Sequence, residues 1–147
     1  MRRRVFLQYV AGLGAVLMLA PIRALAAVWN RAAFESEDLP GALQGLDVPA
    51  EILSDDIEII APDRAENGAV IQVEIRSRIP NTEAIAILAE KNPTPLIANF
   101  MFSNGAEPFV ITRIKMAENS DIQAIVKAGN KYYTARRFVE VLENGCS

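Results

Sequence analysis

The sequence predicts a mainly β protein, an antiparallel β-sandwich preceded by a short helical segment. Three observations predict it. From Asp55 onward apolar and polar residues alternate with period two, as strands with one buried face require. Turn-forming residues divide these runs at intervals of about eight to twelve residues, the spacing of a sandwich. Ahead of them, apolar residues recur at spacings of three and four, which is helical.

The helical stretch is residues 28–46, where Trp29, Ala32, Ala33, Leu39, Ala42, Leu43 and Leu46 carry the period. Ser36 ahead of Glu37-Asp38, with Pro40 close behind, reads as an N-cap with acids in the first turn of a second helix. Gly45 and Pro49 favour its end. Ile57, Ile59 and Ala61 then alternate with Asp56, Glu58 and Ile60. Ile71, Val73 and Ile75 alternate with Gln72, Glu74 and Arg76, the clearest strand in the chain, after a turn signal at Asn67-Gly68. Further strands are expected over residues 84–89, 96–102, 109–116, 122–128 and 132–142, with a tight hairpin at Gly129-Asn130. Phe100, Phe102, Phe109 and Met116 read as core, and Tyr132 and Tyr133 as cross-strand packing. Ile60, Ile111 and Ile125 fall on otherwise polar faces, which a partner subunit could cover.

Residues 1–26 do not read as part of the fold. Arg3-Arg4-Val5-Phe6-Leu7 opens an apolar stretch from Val10 to Ala20, Pro21 follows, and Ala24-Leu25-Ala26 is a small-x-small cleavage pattern. This is the layout of a secretory signal, and the paired arginines before Phe and Leu are those of a twin-arginine signal. The apolar stretch is shorter than the about 20 residues of a membrane span. The expected destination is a bacterial periplasm, with no membrane attachment after cleavage.

The 147 residues carry 15 Lys plus Arg and 18 Asp plus Glu, a net charge of -3. Residues 1–26 hold four arginines and no acid, so without them 11 positive charges face 18 negative ones, a net of -7. That balance argues against nucleic acid or an anionic membrane as partner. With no His, His triads, His general bases and His-ligated metals are excluded, and the single Cys excludes an internal disulfide or a cysteine metal cluster. The carboxylate pairs Glu37-Asp38 and Asp55-Asp56 lack calcium-loop spacing and read as capping and strand-edge residues. No cofactor fingerprint occurs. No catalytic residue, metal site or resident cofactor is therefore expected, and the protein reads as non-catalytic.

The one cysteine, Cys146, stands in Glu143-Asn144-Gly145-Cys146-Ser147, after the last strand pattern ends. A thiol there is expected on a short mobile tether rather than in a core. Such a tether can present a sulfur atom to a cleft on another protein. No cation adjoins Cys146 in sequence, while Glu143 and the terminal carboxylate lie close to it, so any activation to thiolate would come from the partner. Two readings stand: Cys146 is a covalent carrier, or it only links an interaction module through an intermolecular disulfide. A thiol oxidoreductase is disfavoured, because no second cysteine resolves a mixed disulfide. Arg113 and Lys115, at alternate strand positions, read either as a basic strip that attracts an anion or partner, or as a solvated face. Of Arg136 and Arg137, at least one must point outward, where it can meet a partner.

Several blocks together resemble the SoxY family, sulfur-carrier subunits of the bacterial periplasmic sulfur-oxidising (Sox) system. They are residues 92–98 (Asn-Pro-Thr-Pro-Leu-Ile-Ala), 112–117 (Thr-Arg-Ile-Lys-Met-Ala), 131–135 (Lys-Tyr-Tyr-Thr-Ala) and the terminal Gly145-Cys146, within a likeness running from about Phe34 to Ser147. The twin-arginine signal matches as well. The resemblance implies an immunoglobulin-like sandwich over residues 27–142 with the helical lead-in at 28–46, and a flexible carrier arm over 143–147. It implies that Cys146 takes up thiosulfate or another reduced sulfur species as a covalent adduct. It also implies a heterodimer with a small all-β SoxZ-like subunit, and separate Sox enzymes that load, oxidise and hydrolyse the adduct. The arm departs from the family's glycine-flanked pattern at Asn144 and Ser147. Asn144 is expected to stiffen it modestly, and a carboxylate nearer the sulfur opposes both the thiolate and an anionic adduct.

Overall fold

The structure is a computed structural model, and it describes residues 30–143. Two short helices come first, α1 (Arg31–Phe34) and α2 (Leu39–Gly45). Nine strands follow: β1 (Ile52–Leu53), β2 (Ile57–Ile60), β3 (Arg64–Ala65), β4 (Ile71–Ser77), β5 (Thr82–Ala89), β6 (Leu96–Met101), β7 (Phe109–Ile114), β8 (Ser120–Ala128) and β9 (Lys131–Val141).

The helical segment breaks where its sequence allows. Asp38, not the expected Ser36, caps α2, its carboxylate accepting from the Gly41 N–H at 2.7 Å. Ser36 Oγ instead donates to the Asp38 carbonyl, which braces the turn between the helices. The shift follows from Pro40. Its ring suits the first turn, so the residue two places before it becomes the cap. Glu37 and Asp38 therefore precede the first turn rather than occupying it.

β1, β9, β8, β5 and β6 form one sheet in that order, with β3 also on β9, and β2, β4 and β7 form a second, three-stranded sheet. The two faces pack into the immunoglobulin-like sandwich that was expected. Its interior is built from Ile57, Ile71, Val73 and Ile75 of the small sheet and Ile85, Ile87, Ile122, Val126 and Val139 of the large one. The sandwich is not wholly antiparallel. β1 and β3 both pair with β9 in parallel, at Tyr133-Thr134 and at Glu140-Val141. Two-residue strands can run either way, because they arrive from loops rather than from hairpins. The Gly129-Asn130 hairpin forms as expected, with Ala128 opposite Lys131. Positive φ at Gly129 (62°), and not at Asn130, is the II′ geometry whose twist matches paired strands.

A third layer covers the other face of the large sheet. Ala33, Phe34, Leu39, Ala42, Leu43 and Leu46 pack on Ala86, Leu88, Leu96 and Ile125. Ile125 is thus only 3% exposed, which corrects its expected place on a face awaiting a partner. Alternation put Ile125 opposite the sandwich core correctly; what covers that side is the chain's own helices. β5 is apolar on both faces for the same reason, since residues 84–89 lie between two layers. Ile60 and Ile111 do stay exposed, at 50% and 58%, on the outer face of the small sheet on either side of Glu74. Phe109 shares that outer face rather than the core, and its ring lies under Arg76, with the guanidinium 4.7 Å from the centroid. Phe100, Phe102 and Met116 do pack on the core.

Candidate functional site

The last described residue is Glu143, so the site that can be built is the root of the arm. Cys146, Asn144, Gly145 and Ser147, and the signal at 1–26, lie outside the described residues. The root is held by backbone groups and one side-chain amide from two distant segments, residues 65–68 and 116–119. The Val141 N–H donates to Asn119 Oδ1 at 2.7 Å, and the Leu142 N–H to the Ala65 carbonyl at 2.9 Å. The Glu143 carbonyl accepts from the Gly68 N–H at 2.9 Å, and the Gly68 carbonyl accepts from the Met116 N–H at 2.8 Å. Gly68 therefore stands like one rung between the arm root and the end of β7. Asn67 turns the chain into this position, its Oδ1 accepting from the Ala69 N–H at 2.8 Å.

The segments that grip the root are themselves braced. Arg137 donates from Nε to the Ala61 carbonyl and from Nη2 to Asp63, each at 2.9 Å, which holds the 61–65 segment against β9. Arg64 pairs with Glu140 at 2.9 Å across the β3–β9 register. Asn92 makes two bonds to the 115–117 turn, donating to the Lys115 carbonyl at 2.7 Å and accepting from the Ala117 N–H at 2.8 Å.

Four of the basic residues singled out in the sequence therefore take different places. Lys115 is exposed and adjoins Met116, one hydrogen-bonded step from Gly68 and two from Glu143. Arg113 is exposed on the outer face of the small sheet, opposite Gln72. Neither has an ion-pair partner within 4.0 Å among the described residues. Arg136 points outward from the large sheet, 3.9 Å from Glu51. Arg137 is taken up by Ala61 and Asp63. The sequence does not point to Asn92, Asn119 or Gly68 as residues of the root. They read as ordinary turn residues, and their partners lie more than 20 positions away.

Among the described residues no group of three His, Cys, Asp or Glu side chains is placed to hold a metal ion. No described helix is long and apolar enough to cross a membrane.

A solved structure of the sulfur carrier protein SoxY from Chlorobium limicola f thiosulfatophilum is similar to this chain, with 34% identity and a TM-score of 0.65. The match covers 77% of this chain and 99% of that one. A chain from the structure describing T cell specificity and activation by toxic shock syndrome toxin-1 matches at 14% identity and a TM-score of 0.42, covering 58% of this chain and 99% of that chain. No curated protein matches. The sequence family described as sulfur oxidation protein SoxY matches residues 46–146, from the end of α2 to the cysteine. With that span matched, and a SoxY carrier a third identical over nearly its whole length, the chain belongs to the SoxY family.

Proposed function

We propose that this protein is a sulfur carrier. It is exported to the periplasm by a twin-arginine signal, and Cys146 holds a thiosulfate-derived or related sulfur group for other enzymes to process. The observation that carries the reading is the family match, which extends to residue 146 in a chain with one cysteine. The root geometry supports it, since the sandwich grips the chain up to Glu143, three residues before Cys146. The protein performs no turnover itself. Sox enzymes attach the group, oxidise it and release it by hydrolysis, and the sandwich presents it. A SoxZ-like subunit is the proposed partner, and the exposed Ile60 and Ile111 on the small sheet are the apolar surface it would cover.

The test is the intact mass of the protein taken directly from thiosulfate-grown native cells. Mass increments made of sulfur atoms or a sulfonate, lost in Cys146→Ser, are expected. A bare thiol or a symmetric disulfide alone would sink the carrier reading and leave an interaction module that merely dimerises. Cleavage after Ala26 and recovery in the periplasmic fraction are expected of the same sample.

A further inference from the structure

The cysteine cannot leave the sandwich far behind. Three residues take the chain from Glu143 to Cys146, and fully extended they span about 11 Å. Glu143 itself is tied to Gly68. Any protein that reacts with the sulfur must therefore bring the rim of its cleft onto the surface around the root.

That surface carries large apolar side chains that the fold does not use. Leu142, next to the root, is 51% exposed, and Val70, two residues past Gly68, is 60% exposed. The neighbours that the core requires, Ile71, Val139 and Val141, are buried instead. Val70 adjoins β4 of the small sheet and Leu142 follows β9 of the large one, so the root has an exposed apolar residue from each sheet beside it. Exposed apolar surface of this kind is recovered when a partner covers it.

We infer that Val70 and Leu142 are the docking rim for the enzyme that attaches the sulfur group to Cys146. The occupant follows from the tether: a cleft that reaches Cys146, whose Cα lies within about 11 Å of that of Glu143, meets the side chains beside the root. The inference rests on the carrier reading of Cys146.

The experiment introduces a full-length Val70→Asp/Leu142→Asp double variant into native cells. It follows the initial appearance of the Cys146 adduct by intact mass after thiosulfate is added. The adduct is expected to form about tenfold more slowly than in the parent, as for loss of central interface contacts. Alkylation of the purified thiol by iodoacetamide should be unchanged. Inserting Gly-Ser-Gly-Ser between Glu143 and Asn144 of the double variant should restore loading, because a longer tether frees the cleft from the rim. A misfolded variant would not be restored by the insertion. Loading at the parent rate, no rescue by the insertion, or a changed oligomeric state with normal loading each overturns the inference. If the parent itself carries no adduct, it is the carrier reading that has failed, and the rim falls with it.

Discussion

At the scale of single residues, the root of the arm depends on side-chain amides rather than on charge. Asn119 supplies the acceptor for the Val141 N–H, and no strand offers a replacement at that point. Asn119→Ala should cost about 1 kcal/mol, the net worth of a typical hydrogen bond. The Val141 amide should then exchange about fivefold faster with solvent, as NMR hydrogen exchange would show. Asn92→Ala removes two bonds and strands the Ala117 N–H. A loss of about 1–3 kcal/mol is expected in urea denaturation. The two arginine contacts to β9 should separate cleanly. Arg64 and Glu140 are 66% and 41% exposed, and such pairs contribute little, so Arg64→Ala should shift stability by less than about 1 kcal/mol. Arg137→Ala loses its bond to a main-chain carbonyl as well as the Asp63 contact, and Arg137→Lys, without the planar fork, should not restore both. A Lys variant as stable as the parent in the same denaturation would refute that.

At the scale of elements, the helical layer is held by close approach. A Cβ added to Gly45 would meet the Ala33 backbone at 2.6 Å, and backbone does not yield as a side-chain tip can. Gly45→Ala should therefore push α1 and α2 apart, although alanine is the better helix former. A destabilisation of about 1–3 kcal/mol is expected, as in other overpacked sites. A denaturation midpoint equal to the parent's would show that the helices can shift at no cost. The Gly129 turn behaves differently, because nothing lies within 4 Å of the position of an added Cβ, and only its φ of 62° resists a side chain. Gly129→Val should cost about 1–2 kcal/mol through backbone strain alone.

At the scale of the whole molecule, three layers explain why β5 tolerates no polar side chain over residues 84–89. Ile87 faces the sandwich interior and Leu88 faces the helices, and both are fully buried. Leu88→Ala should therefore cost as much as Ile87→Ala, about 2–5 kcal/mol each by thermal or urea denaturation. A much smaller loss at Leu88 would mean that the helical layer gives way to fill the cavity. Of the large apolar residues left exposed, Ile60 and Ile111 lie on the free face of the small sheet and Val70 and Leu142 beside the arm root, while Ile52, Leu53, Met101 and Phe138 are spread over β1, β6 and β9 of the large sheet.

Much of this protein was determined by the sequence alone. Strands β2, β4, β7 and β9 were legible because one buried face imposes period two, β5, β6 and β8 as short apolar runs bounded by turn residues, and the hairpin at Gly129 because its twist demands glycine. The resemblance to SoxY was carried by local blocks and a terminal cysteine, which need no fold to be read. Tertiary structure alone decided the rest. It set α2's cap at Asp38, laid β1 and β3 in parallel on β9, and roofed Ile125 with the chain's own helices. It also gathered Ala65, Gly68, Met116 and Asn119 around Glu143. These outcomes depend on which segments meet across dozens of residues, and hydrophobic periodicity states only which way a side chain faces, not what waits on the other side.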